Sequence, residues 1–392
     1  MPDRRDSNKT MVAVHEASTR ICEANDRPTT RTARAVFIRK LDLTDTKGCK
    51  RWDDFVNTHP YSNWAFSTGF GKILADIFGY IYHLFELSDA NNSLIAICPL
   101  YVVPNPLTGK QFVSIPFFEY GGILARPDIQ ISELHQLRDA IASTATAHNI
   151  KSIQLKANPG IPEAWAADLF TVSTHHHHAV LELSDSATMW QTISRHVRKA
   201  IKQANNNHIT IQEKSDPETI KATFYPMYTC YMKQRHGSPP FSLQFFIALH
   251  TFFGDNFKIF WAYDNKIPIG CLIGLRSGKR IHITNIVSDQ RYWHLRPNDL
   301  LHWEFIKWAC DKQLTHFDFG AARPGGQAQF KKKWGCQLLP YNISSIPGFD
   351  AASADLRIDS QLAKWCSFAW KHAIPKIAAD RIGPTVRKYL GK

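Results

Sequence analysis

The run Phe317-Asp318-Phe319-Gly320 alternates like a strand, turns through Ala321-Ala322-Arg323-Pro324-Gly325-Gly326, and reaches Phe330-Lys331-Lys332-Lys333-Trp334-Gly335. Strand period sends Asp318 away from the face of Phe317 and Phe319. The turn and the short basic aromatic helix after it place fixed cations at the C-terminal end of a strand, where α/β folds build their sites. Phe330 and Trp334 form an i, i+4 pair facing the core. Lys331 therefore sits beside an anchored face, while Lys332 and Lys333 point elsewhere. An ammonium pinned in this way can stabilise the oxyanion that develops in acyl transfer. Three lysines in a row also describe an ordinary solvated charge run. Asp318 can act as a base, anchor a substrate, pair with Arg323, or bond turn amides.

Other stretches could supply the remaining chemistry. Pro116-Phe117-Phe118-Glu119-Tyr120-Gly121-Gly122 joins an acid and a phenol to two glycines, which permit close backbone approach by a ligand. Glu119 and Tyr120 can bind an amine or serve as acid and base; an ordinary turn with a capped carboxylate is the plainer account. Arg296 precedes Pro297 at the positive end of a helix, a physical basis for binding phosphate. Arg195, Arg198, Lys199 and Lys202 share one helix face with no acid among them, which suits phosphates but also a plain solvated face. Arg235-His236-Gly237-Ser238-Pro239-Pro240-Phe241 ends a helix in a rigid turn, and His236 there can shuttle a proton near neutrality. His175–His178 alternate sides on an extended chain and cannot easily share one ion, so no metal is expected.

The elements that position these residues occur twice in the same order. The first copy has strands at Tyr80–Leu87, Leu94–Val103 and Gln111–Ile115, a helix at Ser132–His148 and a strand at Ser152–Lys156. The second has strands at Phe257–Tyr263, Pro268–Arg276 and Arg280–Val287, a helix at Pro297–Gln313 and a strand at Thr315–Phe319. Helices are expected before each copy, at Thr46–Asn57 and Thr68–Phe78, then at Ala187–Asn205, Pro217–Gln234 and Leu243–Phe253. A meander feeding a helix and a returning strand is an α+β layered sheet. The expected organisation is a disordered tail over 1–33, one domain over 34–178, a second over 179–346, and a basic aromatic helical tail over 347–392. In that tail Pro375 and Pro384 break the helix into short pieces. Its interleaved aromatic and basic residues suit contact with an anionic membrane through 360–392, or packing of its Trp residues on the body.

The chain has 392 residues, 44% hydrophobic and 12% aromatic, with a formal charge of +13 and a pI near 9.3. This composition excludes disorder or a coiled coil for the body and favours anionic partners. The eight cysteines lie far apart with no metal spacing, which reads as reduced thiols of a cytoplasmic protein. No apolar run of about 18 residues occurs, so no spanning helix is expected, and the N-terminus lacks a signal-peptide core.

Taken together, several motifs resemble the FemAB-like acyltransferases of the GNAT superfamily. They are His59-Pro60 with Trp64 and Phe66, Cys98-Pro99-Leu100, Val113–Phe117 with Tyr120-Gly121-Gly122, Arg195–Ile201, Arg235–Phe241, Leu295–Asn298, Phe317–Gly320 and Phe330–Gly335. The nearest likeness is to FemAB-related proteins of exosortase/PEP-CTERM exopolysaccharide systems. The resemblance implies two tandem GNAT-like domains with central mixed sheets flanked by helices. It implies an acyltransferase, or more narrowly an aminoacyltransferase, acting on an amine or hydroxyl of a cell-envelope or exopolysaccharide precursor by direct attack in a ternary complex. Lys331 matches the family lysine held to steady the charged intermediate. Asp318, Glu119 or His236 would handle the proton, and Arg195, Arg198, Arg235, Arg296, Arg323 and Tyr120 would bind substrate or its phosphates. No permanent cofactor is implied; the co-substrate would be acyl-CoA, an acyl carrier protein or aminoacyl-tRNA. The usual acyl-CoA phosphate loop is missing from 288–298, and so is the coiled-coil arm of some tRNA-using members. The implied location is the cytoplasm or the inner face of the membrane. A non-catalytic RNA- or nucleotide-binding module and a membrane-surface scaffold are the rival readings.

Overall fold

Two meanders of apolar-rich strands are built into one large sheet. The structure, a computed structural model, describes residues 34–391 except 107, 120, 158–160 and 352–360; the tail expected over 1–33 lies outside them. Strand β1 (Val36–Leu41) leads to helices α1 (Thr46–Thr58) and α2 (Thr68–Phe78). An antiparallel meander follows, β2 (Ile81–Asp89), β3 (Leu94–Asn105) and β4 (Gly109–Ser114), with the short β5 (Leu124–Ala125) against β3. Helix α3 (Ile131–Ala147) then returns the chain to β6 (Ser152–Lys156), which runs parallel to β4.

After α4 (Glu163–Leu169) the stretch containing the four histidines is itself a strand, β7 (Thr171–Glu182). Next come α5 (Ser186–Thr192), α6 (Arg195–Asn206), β8 (Thr210–Glu213), α7 (Pro217–Thr219), α8 (Tyr225–Tyr231) and α9 (Leu243–Phe253). The second meander is β9 (Phe257–Asp264), β10 (Ile267–Ser277) and β11 (Arg280–Ser288). Helix α10 (Pro297–Asp311) returns to β12 (His316–Ala321), parallel to β11. The chain ends with α11 (Gly326–Lys332), β13 (Gln337–Ser345), β14 (Asp350–Ala351), α12 (Gln361–His372) and α13 (Lys376–Leu390).

The strand order is β1-β2-β3-β4-β6-β13-β7-β12-β11-β10-β9-β8, so β13 joins the two meanders into a single 14-stranded sheet with β5 and β14 as side branches. Three local expectations are corrected. The helix expected over Ala187–Asn205 is two helices, because Ile193 and Ser194 are extended and Ser194 caps the second by accepting from Val197 N. The helix expected over Pro217–Gln234 contains wide π turns at Ile220–Phe224 and Met232–His236. Pro384 does not break the tail but lies inside α13, whereas Pro375 does separate α12 from α13.

Helix ends follow their capping residues. Asp45, Ser67 and Ser242 each accept a backbone N–H at the start of α1, α2 and α9, and Gly79 closes α2 in the left-handed conformation. One core cluster contains Trp52, Phe66 and Phe70 of the first half together with Phe224, Phe246 and Trp261 of the second. Burial of each such Phe contributes about 2 kcal/mol, so the halves stabilise one another. Two further clusters lie against α10 and α3.

Candidate active site

The parallel pairing of β11 with β12 is short: Arg280 faces His316, Ile281 faces Phe317, His282 faces Asp318, and beyond that pair the two strands part. Residues two apart share a face, so Arg280, His282 and Asp318 are brought together. Phe317 and Phe319 instead join the core cluster against α10. Asp318 is fully buried. Its Oδ1 lies 3.4 Å from His282 Nδ1 and its Oδ2 lies 3.3 Å from Arg280. It also accepts from Gly320 N at 2.9 Å. The structure pairs Asp318 with Arg280 and His282, because strand register sets the contact. Burial alone would raise the Asp318 pKa; the charge and hydrogen bond of His282 and the charge of Arg280 outweigh it and hold the carboxyl below the usual carboxylate range.

The other nitrogen of His282, Nε2, lies 3.7 Å from Glu119 Oε2. Glu119 comes from the first half, on the turn after β4, and keeps 35% of its side chain exposed. Two non-glycine residues of that turn, Ile115 at φ 48° and Phe117 at φ 67°, adopt the left-handed region, which is costly for such side chains. The turn is held in place by the buried Lys156, whose ammonium donates to Ile115 O at 3.3 Å and Phe118 O at 3.0 Å. The Phe118 ring packs edge-on against the His282 ring at 4.6 Å. Gly320, at φ 70°, leaves the room: a Cβ there would stand 3.3 Å from Glu119 Oε1 and 3.4 Å from His282 Cε1. A line Asp318–His282–Glu119 therefore runs from the buried strand to solvent across the junction of the halves.

Lys331 meets this line from α11. Its ammonium donates to Phe319 O at 2.6 Å, to Gly320 O at 3.1 Å, and to Ala321 O. Trp334 is buried and Phe330 packs against the same core, while Lys332 and Lys333 are exposed, as the i, i+4 pattern requires. Burial pushes the Lys331 pKa down, against the opposing pull of Glu119 and Asp318. His302 on α10 stacks on Phe319 at 5.2 Å and lies opposite Asn298 O at 2.7 Å; burial lowers its pKa to about 4. His178 on β7 also faces the cluster: burial lowers its pKa while the Asp318 charge opposes the shift.

Residues 191–332 match the acetyltransferase (GNAT) domain family model. A crystal structure of FemX superposes with a TM-score of 0.61 at 13% identity, over 78% of this chain and 96% of that one. The structure of L-PGS from Bacillus licheniformis superposes at 0.51 and 11% identity, over 78% of this chain and 93% of that one. A tandem GNAT protein from the clavulanic acid biosynthesis pathway does so at 0.50 and 10% identity, over 79% and 98%. The chain has the tandem GNAT fold. No curated protein matches it.

The other expected residues distribute unevenly around the two GNAT units. Arg235 is exposed with its guanidinium 5.5 Å over the Trp293 ring. Arg296 is the left-handed residue that precedes Pro297 at the start of α10, and its side chain is exposed. Contact with the protein, together with the charges of Arg235, Arg323, Lys371 and Arg387, holds the His236 pKa below its ordinary value. His236 thus stands among the cations of a rim that includes Arg235 and Arg323. Arg198 is committed elsewhere: its NH1 donates to Trp190 O, Gln191 O and Ile193 O at 3.1, 3.0 and 2.8 Å, closing the end of α5. Arg195 is exposed on α6. Tyr120 lies outside the described residues. Sequence reasoning missed His282, Arg280 and Lys156; for the first two, the one available signal was their period-two spacing on a strand that returns beside Asp318.

Proposed function

We propose that the protein transfers an activated acyl group, or an aminoacyl group, to an amine or hydroxyl of a cell-envelope or exopolysaccharide precursor by direct attack within a ternary complex. The observation that carries this reading is the Asp318–His282–Glu119 line beside the Lys331 ammonium. Asp318, His282 and Lys331 lie where β11 and β12 part, inside the segment with acetyltransferase-domain sequence, and Glu119 reaches them from the turn after β4. An acid at the solvent end of a line of carboxylate and imidazole groups suits proton removal, and a half-buried cation suits a developing negative oxygen.

In this reading the acceptor nitrogen or oxygen attacks the carbonyl carbon of the donor. Its proton passes to Glu119, which His282 orients from behind while Asp318 orients His282. The carbonyl oxygen of the tetrahedral intermediate takes the place of one carbonyl now bonded to Lys331. Collapse re-forms the C=O bond, breaks the bond to the thiol or hydroxyl leaving group, and returns the proton to that group from Glu119. Arg235 and Arg323 of the cationic rim, and Arg296 at the start of α10, would hold phosphates of donor or acceptor. The donor belongs to one of three classes: acyl-CoA, acyl carrier protein or aminoacyl-tRNA.

Mass spectrometry of the small molecules, carrier proteins and RNA that co-purify with the protein identifies the donor class. Turnover with that donor is then measured for wild type, Glu119→Gln and Lys331→Ala. Loss of about 10²–10⁴-fold is expected for Glu119→Gln and about 10²–10³-fold for Lys331→Ala. Wild-type turnover by both variants would remove the proposed site.

A further inference from the structure

The two C-terminal helices are each held to the body by one face. On α12, Trp370 is buried, and Lys233 Nζ donates to Trp370 O, Lys371 O and Ile374 O at 2.8, 2.9 and 2.7 Å. Ser367 Oγ donates to His236 O at 3.2 Å. On α13, Ala379 and Gly383 are buried, with Gly383 against Pro240 and Trp370. Arg387 donates to Ser238 Oγ at 3.3 Å and lies 4.3 Å over the Phe241 ring. The helices are therefore fixed parts of the fold, and what they turn outward is presented rigidly.

Their outward faces are unusually apolar. On α12, Trp365 is 68% exposed and Phe368 59%, three residues apart, with ring centroids 6.4 Å apart and the His372 ring 4.6 Å beyond. On α13, Ile377 is 73% and Ile382 45% exposed. Exposed Lys364 and Arg381 stand among them. The two helices carry six Lys and Arg (364, 371, 376, 381, 387, 388) against one acid, Asp380, which Lys376 binds at 2.6 Å. Large rings and branched chains interleaved with long cations suit the boundary between lipid headgroups and acyl chains. Protein interfaces, by contrast, are depleted in lysine at their cores, and a second copy would bring like charge against like charge.

We propose that α12 and α13 dock the protein on the anionic surface of a phospholipid bilayer. Trp365, Phe368, Ile377 and Ile382 enter the headgroup boundary, and Lys364 and Arg381 reach lipid phosphates. The faces opposite these grip the Arg235–Phe241 turn, so docking would hold the cationic rim near the membrane. This surface stands independently of acyl transfer, because lipid binding needs no donor.

The test is vesicle flotation of the full chain with phosphatidylcholine alone and with equimolar phosphatidylcholine and phosphatidylglycerol. Two variants accompany it, Trp365→Ser/Phe368→Ser/Ile377→Ser and Lys364→Gln/Arg381→Gln, with unchanged melting temperature as the fold control. Wild type should float with the anionic vesicles, less so as salt rises, and not with the neutral ones. The charge variant should bind about thirtyfold more weakly, at about a fivefold-to-sixfold loss per cation, and the apolar variant should not float. Absence of flotation by wild type at low salt overturns the proposal, as does equal flotation of wild type and the apolar variant. A wild-type dimer in velocity sedimentation that the apolar variant abolishes would also overturn it, and would assign the surface to self-association instead.

Discussion

Lys331 directs its N–H groups at three successive carbonyls of one strand end, and His282 stands between two carboxylates. These arrangements make different demands on a substitution. His282→Gln leaves Glu119 in place but removes the group that orients it, so the expected result is a smaller kcat with KM little changed. The pH dependence of kcat should also be altered more than in an unrelated core variant. Rate measurements across pH on wild type and His282→Gln decide this; identical profiles would make His282 a packing residue. Buried His302 gives a second pH signature. Its folded pKa is about 4, below the ordinary value of about 6.5. As pH falls below that ordinary value, the unfolded chain takes up a proton that the fold refuses. Stability contributed by neutral His302 is therefore complete above that pH and is lost by about pH 4, amounting to about 2–3 kcal/mol. Urea melts at neutral pH and near pH 4.5 should show a decline that His302→Phe makes shallower. Asp318 acts in the same direction at lower pH: its carboxyl is held below the ordinary range, so its contribution disappears as pH falls through that range.

Whole elements account for how these side chains reach one place. The turn carrying Glu119 is held against its left-handed residues by Lys156 on β6. Lys156→Met leaves the Ile115 and Phe118 carbonyls without that ammonium, at an expected cost of about 1–3 kcal/mol. Activity should fall further than the lost stability alone explains, a comparison that chemical denaturation and turnover make together. Most elements were legible in the sequence because their residues alternate or repeat at helical period: α2, α9 and β6 occupy the residues expected of them. Strands β7 and β13 were not, because β7 presents histidines and threonines where an apolar run is the usual signal, and β13 pairs with residues far away in sequence. The same limit applies to the site. Lys331 and Asp318 announced themselves by local spacing. His282 lies between Ile281 and Ile283 with only its period-two spacing from Arg280 to mark it, and the register of β11 against β12 brings it to Asp318. Lys156 was read as the end of a strand, and its role depends on a turn about 40 residues earlier, at the end of the parallel β4–β6 pairing.

At the scale of the molecule, the two GNAT units share a core and a sheet. Calorimetry should therefore record one main cooperative transition for the body and not two well-separated ones, since neither half retains its buried Phe and Trp contacts alone. Two separated peaks would show that the shared cluster contributes little. The tail belongs to this unit as well: Tyr80 donates to Lys388 O, 308 residues away, and Phe117 N donates to Gly391 O at 3.2 Å. Such distant closures bear on synthesis. At a translation rate of about 5–20 residues per second, the partner of Tyr80 is polymerised roughly 15–60 s after Tyr80 itself. Over that interval the nascent first unit lacks the cover that the tail gives Tyr80 and Phe117. Stalled chains ending before α12 should accordingly be cut by protease in the Phe117–Glu119 turn, which released full-length protein resists.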